Sequence, residues 1–163
     1  TVEFLLSDGK FYFLEMNTRI QVEHPITEKC TGIDLIALQI LAAIGEEIQL
    51  PHRDHNGHAI EARVLALEPG VINEYGEPRF PSVRIDSGIK EGTEVGYTFS
   101  PLLAKVTAWG INREDARQLL LRALRDYNIG GVPTNIPSLM GVLMHPEFQR
   151  GTYTTRLLES AIR

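Results

Sequence analysis

Near the start of the chain, Glu15, Asn17, Arg19, Gln21 and Glu23 occupy every second position of the run Phe11-Tyr12-Phe13-Leu14-Glu15-Met16-Asn17-Thr18-Arg19-Ile20-Gln21-Val22-Glu23-His24-Pro25. In an extended chain alternate side chains share a face. The run therefore predicts one space lined by two carboxylates, one guanidinium and two amides. That set suits a metal-bridged anion, because carboxylates hold the cation and a planar fork of donors holds the oxyanion. A solvated polar edge strand carries the same alternation, and the pattern by itself leaves both readings open.

The residues before this run sharpen the metal reading. Thr1 to Leu6 has strand character, Ser7-Asp8-Gly9 a tight turn, and Lys10 to Met16 a returning strand. Asp-Gly between two apolar runs predicts a hairpin, which sets Glu3 roughly opposite Glu15. Two convergent carboxylates beside the Asn17 amide suit Mg²⁺ or Mn²⁺, with phosphate oxygens and water completing the shell. An exposed sheet face would also accommodate the pair. Further on, Arg63 interrupts the apolar strand Ala59 to Leu65. A charged residue there is either paired, with Glu61 as the nearest partner, or functional. His24 and His58 read as structural hydrogen-bonding groups.

These strings carry a resemblance. Glu3-Phe4-Leu5 and the run from Phe11 to Glu28 are followed by Thr31-Gly32-Ile33-Asp34-Leu35, Gly57-His58-Ala59-Ile60-Glu61-Ala62-Arg63, Pro101-Leu102-Leu103-Ala104-Lys105 and Gly131-Val132-Pro133-Thr134-Asn135. In this order the chain resembles the biotin carboxylase family, from the end of its ATP-grasp domain through its C-terminal subdomain. The resemblance implies an ATP-dependent ligase serving an acyl-CoA, pyruvate or urea carboxylase. By similarity, Glu3 and Glu15 hold Mg²⁺ or Mn²⁺ on ATP with Asn17 assisting, and Glu3, Leu5 and Glu15 lie at the nucleotide. Arg19, Gln21 and the backbone of Val22 are similar to a bicarbonate cradle, and Glu23 to the general base. Arg63 is similar to the arginine that faces the biotin ureido oxygen.

The resemblance also implies partners: bicarbonate, a biotinyl carrier domain, a carboxyltransferase component and a second copy in a homodimer or larger oligomer. No Ala-Met-Lys-Met carrier motif, glycine-rich phosphate loop or phosphate-binding lysine pair is evident. The segment is therefore expected to carry half a site and to be inactive alone. Two departures stand out. Ala66-Leu67-Glu68-Pro69 and Pro81-Ser82-Val83-Arg84 match imperfectly, and Phe99-Ser100-Pro101-Leu102 has Ser100 where the family commonly has Asp. Two other classes fit parts of the pattern: another bicarbonate-activating ATP-grasp ligase resembling carbamoyl-phosphate synthetase, and a non-catalytic dimerisation module.

Composition excludes several classes. The chain has 163 residues, 43% hydrophobic and 23% charged, with a net charge of −5. An acidic balance without a basic, aromatic-laced stripe argues against nucleic acid or an anionic membrane as partner. One cysteine, Cys30, excludes an internal disulfide. No apolar run reaches membrane-spanning length, so a cytoplasmic or mitochondrial-matrix protein is expected.

The elements that must position these groups read as α+β: the end of an ATP-grasp sheet over residues 1–50, then an antiparallel sheet with packed helices over 51–163. A helix is expected from about Ile33 to Ala43, with its apolar residues packed on the hairpin sheet, and a loop over 46–56. Strands are expected at Ala59 to Leu67, Val83 to Ile85, Gly92 to Val95 and Leu103 to Trp109, with a loop over Glu68 to Pro78. Asn112 caps a helix running to about Tyr127, with Ala116, Leu119, Leu120, Ala123 and Leu124 as its apolar face. Helices over 134–143 and 155–162 complete the reading.

Overall fold

A computed structural model describes residues 1–49, 55–96, 98 and 100–158. The chain divides into two compact units, Thr1–His55 and Asn56–Arg163.

In the first unit, β1 (Val2–Ser7) and β2 (Lys10–Met16) form an antiparallel hairpin. Asp8 and Gly9 both have positive φ, 49° and 74°, the conformation that an Asp-Gly turn supplies to a tight hairpin. Strand structure stops at Met16. The alternating run does not continue as a strand to Glu23: residues 17–21 are irregular, and α1 (His24–Thr31) begins directly after Glu23. Pro25 in the first turn explains the switch, since proline fits a helix start but not a sheet ladder. Gly32, with φ 69°, ends α1 by donating its N–H to Glu28 O. Cys30 is buried within this helix.

Next comes α2 (Leu35–Ala43), starting two residues later than expected because Asp34 is its cap. The Asp34 carboxylate accepts from Ala37 N at 2.8 Å. No residue of α2 is buried, so the core role expected for its apolar residues is not met among the described residues. Both faces of the hairpin are also open, with Phe4, Phe11 and Phe13 at 52%, 72% and 65% exposure. Of the loop expected over 46–56, residues 50–54 lie outside the described residues.

The second unit holds β3 (His58–Leu65), β4 (Gly70–Val71), β5 (Glu74–Gly76), β6 (Val83–Ser87), β7 (Glu94–Val95), β8 (Leu102–Gly110), α3 (Arg113–Arg125), β9 (Asn128–Gly130), α4 (Ile136–Met144) and α5 (Pro146–Arg150). Its main sheet is antiparallel with strand order β3-β8-β6. Ala62, Val64, Ala104, Val106 and Ala108 form a buried layer against Leu120, Ala123 and Leu124 of α3. Small residues on the strands let the helix approach closely, and period-two alternation leaves the other face to Glu61, Arg63, Lys105, Thr107, Arg84 and Asp86. Asn112 caps α3 by accepting from Asp115 N at 2.9 Å.

One expectation needs correction here. The stretch 68–78 is not a plain loop but contains β4 and β5, which pair with β7 and β9 around a second cluster of Ala66, Ile72, Leu103 and Val132. Arg117, on the buried side of α3, is 3% exposed. It donates from Nε and Nη2 to both oxygens of Glu114, and from Nη1 to Leu143 O at 2.7 Å, tying α3 to α4. Of the helix expected over 155–162, residues 159–162 lie outside the described residues.

Candidate functional site

The end of the hairpin builds the first part of the site. Pairing runs Ser7–Lys10, Leu6–Phe11, Leu5–Tyr12 and Phe4–Phe13, then shifts so that Glu3 faces Glu15. The shift is a bulge at Leu14, which adds one residue to β2. Asn17 then joins the two acids: its Nδ2 donates to Glu3 Oε1 at 2.9 Å and to Glu15 Oε1 at 3.1 Å. The chain is pinned here by Asn17 N to Thr1 O at 2.8 Å, and by Thr1 N to Asn17 O at 2.9 Å.

This donor set fits a hard divalent cation. Two carboxylates and one amide are all oxygen donors once the Asn17 amide turns its oxygen inward, and open positions are what Mg²⁺ keeps for phosphate and water. Among the described residues, no group of three or more His, Cys, Asp or Glu side chains forms a cage that would hold an ion unaided. Leu5 lies on β1 with an exposed side chain.

Beyond Asn17 the chain lines a concavity of about 550 Å³ with Asn17, Arg19, Gln21, Glu23 and His24 on its wall. Irregular backbone, rather than a strand face, gathers four of the five alternating side chains there; Glu15 is held beside it through Asn17. Arg19 Nη1 donates to Ile20 O at 3.2 Å and to Gln21 Oε1 at 3.5 Å. His24 Nδ1 lies 2.9 Å from Gln21 O, so this histidine fixes the turn, as expected of a structural group. Val22 and Glu23 form the turn into α1 and both are exposed. Glu23 is the residue preceding the helix and its side chain makes no capping bond. The Val22 side chain is not among the described lining of the concavity.

Arg63 belongs to the second unit, on β3, with its side chain exposed and Lys105 as its cross-strand neighbour. The backbone on either side of it is clamped by Asn135. Asn135 Nδ2 donates to Arg63 O at 3.1 Å, and Asn135 Oδ1 accepts from Leu65 N at 2.8 Å. Lys105 pairs with Asp86 at 3.6 Å, a structural ion pair between β8 and β6. Thr107 Oγ1 donates to Glu61 Oε2 at 2.9 Å. Burial raises the Glu61 pKa above the usual carboxylate range, against the lowering effect of the Thr107 bond, Lys105 and Arg63. Asn135 and Thr107 were given no role by sequence reasoning, whereas Glu61 was read as the nearest ion-pair partner for Arg63. Only the Gly131-Val132-Pro133-Thr134-Asn135 string marked Asn135. Ser100 Oγ accepts from Leu102 N at 3.3 Å, a local turn contact, and Phe99 lies outside the described residues.

Comparison with known proteins gives this arrangement a context. Residues 61–160 match the family model for the biotin carboxylase C-terminal domain, and residues 1–51 match that for the carbamoyl-phosphate synthase L chain ATP binding domain. The chain is 44% identical to a pyruvate carboxylase subunit of Methanothermobacter thermautotrophicus, covering 98% of this chain and 34% of that protein. It is 43% identical to biotin carboxylase of Halalkalibacterium halodurans, over 100% of this chain and 38% of the relative. The biotin carboxylase domain dimer of Hydrogenobacter thermophilus 2-oxoglutarate carboxylase, solved with MgADP, ADP and bicarbonate, superimposes with a TM-score of 0.92 at 36% identity. That match covers 98% of this chain and 38% of the solved one. The chain thus spans well under half the length of these relatives, while the C-terminal domain model alone matches more than half of the chain. On these matches and on its mixed helix and antiparallel-sheet architecture, the chain belongs to the biotin carboxylase family.

Proposed function

We propose that this chain is part of the biotin carboxylase component of a biotin-dependent carboxylase, which uses MgATP and bicarbonate to carboxylate biotin borne on a carrier domain. Residues 1–50 would close an ATP-grasp domain and residues 51–163 form the C-terminal subdomain. The carrier domain, a carboxyltransferase component and a second copy are the proposed partners. Among the described residues no helix is long and apolar enough to cross a membrane, and a cytoplasmic or matrix location is proposed with the function. The observation that carries the reading is the grouping of Asn17, Arg19, Gln21 and Glu23 around one concavity, with Glu3 and Glu15 tied to it through Asn17.

In this reading Glu3 and Glu15, with the Asn17 oxygen, hold Mg²⁺ or Mn²⁺, which neutralises phosphate charge at the nucleotide; Leu5 lies at the nucleotide. The Arg19 guanidinium clamps bicarbonate by parallel hydrogen bonds, a geometry that a lysine cannot reproduce. Gln21 and the Val22 N–H complete the cradle. Glu23 accepts the bicarbonate proton as that oxygen bonds to the γ-phosphorus and ADP leaves, so it must sit within hydrogen-bond reach of the bound anion. Arg63 offsets the negative charge that develops on the biotin ureido oxygen once its N1′ proton is removed. The remaining nucleotide contacts would come from the parts of the relatives that this chain does not span, so the chain by itself should not turn over ATP.

The test is Glu23→Gln in a full-length polypeptide carrying this segment. Bicarbonate-dependent ATP cleavage should fall by about a thousandfold, the scale of a lost general base; retention of wild-type cleavage would remove the assignment. The match of residues 1–51 to a carbamoyl-phosphate synthase model favours a second reading, a bicarbonate-activating ligase that does not use biotin. Carboxylation of free biotin by the same polypeptide separates the two.

A further inference from the structure

We propose that Glu61, held by the Thr107 hydroxyl, is a positioning residue that aims the Arg63 guanidinium on the polar face of the β3-β8-β6 sheet. This rests on the reading of Arg63 given above. Glu61 and Arg63 are two residues apart on β3 and share one face. Register places Thr107 opposite Glu61 and Lys105 opposite Arg63, while β6 brings Arg84 opposite Thr107 and Asp86 opposite Lys105. The face thus carries two acids, three cations and one hydroxyl in two rows. Asp86 serves Lys105 and, at 3.0 Å, Arg84.

Glu61 is the second acid, and its bonding is asymmetric. Its Oε2 accepts from Thr107, which is fully buried, so that half of the carboxylate is fixed from the middle of the sheet. Its Oε1 is shielded from solvent and accepts no hydrogen bond among the described residues, while Lys105 and Arg63 are the cations whose charge it feels. A guanidinium on a long flexible stem needs a fixed acceptor to hold one direction. Lys105 also has Asp86, so the Glu61 charge bears on Lys105 first and then on Arg63, its neighbour on the same face of β3.

The electrostatics accord with this placement. Desolvation raises the Glu61 pKa despite two cations and a hydroxyl donor. A carboxylate whose folded pKa is raised is most favourable when protonated, and its contribution to stability falls as pH rises through that value. Above that value Glu61 therefore costs stability. A residue kept for packing alone would not carry that cost, whereas groups placed for function commonly do.

The experiment uses a full-length polypeptide carrying this segment. It compares carboxylation of free biotin with bicarbonate-dependent ATP cleavage measured without biotin. Glu61→Gln and Thr107→Val should lower the ratio of the two rates by about tenfold, the scale of a lost charge-assisted hydrogen bond. Thr107→Ser, which keeps the hydroxyl donor, should preserve the ratio, and Glu61→Gln should melt no lower than wild type at neutral pH. An unchanged ratio, a parallel fall of both activities, or Thr107→Ser behaving as Thr107→Val would overturn the proposal. Arg63→Gln is run alongside. If it abolishes biotin carboxylation while Glu61→Gln does not reduce it, only the positioning role fails. If Arg63→Gln itself is silent, the role given to Arg63 fails instead.

Discussion

Glu3 and Glu15 are cross-strand partners only because β2 carries an extra residue at Leu14. Continued from Phe4–Phe13, unbroken pairing would set Glu3 against Leu14 and leave the two acids out of register. A one-residue slip exchanges the faces of a strand, so the bulge decides whether the carboxylates converge. Their shared hydrogen bonds from Asn17 report that they do.

That convergence predicts a metal phenotype. In a full-length polypeptide, Glu3→Gln and Glu15→Gln should each raise the Mg²⁺ concentration for half-maximal ATP cleavage by about tenfold or more, as losses around metal sites commonly do. Titration of MgCl₂ at fixed nucleotide is the measurement. A Mg²⁺ dependence identical to wild type in both variants would exclude them as ligands.

Much of the site was legible because its residue types have narrow uses. The Asp8-Gly9 turn and the Asn112 cap follow from local chemistry, whereas the facing of Glu3 and Glu15, expected roughly from the turn, needs the Leu14 bulge that the turn does not encode. The extended face from Glu15 to Glu23 did not survive, because the Pro25 helix start competes with strand propagation and wins. The apolar content of α2 and the hairpin suggested a core that the described residues do not supply. Periodicity reports what a segment would bury, not whether its cover lies in the same stretch of sequence. The short strands β4, β5 and β9 escaped because two or three residues leave no period to read. The sheet face around Arg63 depends on long-range register, which no local pattern encodes.

Asn135 makes a long-range contact beside Arg63, clamping the backbone at Arg63 O and Leu65 N. Asn135→Ala strands both groups and should destabilise the chain by about 1–3 kcal/mol. Asn135→Asp keeps the acceptor for Leu65 N and should cost less. Urea unfolding followed by Trp109 fluorescence checks the order, and equal stability of all three proteins would refute the clamp.

Gly131 shows where backbone geometry leaves no alternative. Its φ is +94°, and a Cβ added there would run into Val71 O and crowd Asn73 N. Gly131→Ala therefore combines an unfavourable conformation with a clash against backbone that is fixed by β4, and should cost roughly 2–4 kcal/mol. Gly92→Ala is the control. It also has positive φ, at +83°, but a Cβ there meets nothing within 4 Å, so its loss should be smaller. Denaturation midpoints of the pair that coincide would contradict this reading.

The acid limb of the stability curve should carry the signature of Glu114. Its pKa is lowered to about 2, first by the hydrogen bonds from Arg117 and then by Gln118, from an ordinary value of 4.5. A depressed folded pKa contributes stability that is complete above the unfolded value and is lost as pH falls from about 4.5 toward about 2. Glu114 is more than half exposed, so solvent screening keeps the effect modest. Glu61 works in the opposite sense, since its raised pKa makes stability fall as pH rises above 4.5 through its folded value. Glu114→Gln should therefore flatten the loss of thermal stability between pH 4.5 and 2, and Glu61→Gln should flatten the decline above pH 4.5. Thermal melts of both variants across about pH 2 to 8 test the pair of signs. A steeper acid limb in Glu114→Gln would mean that the Arg117 pairing does not stabilise the α3–α4 junction.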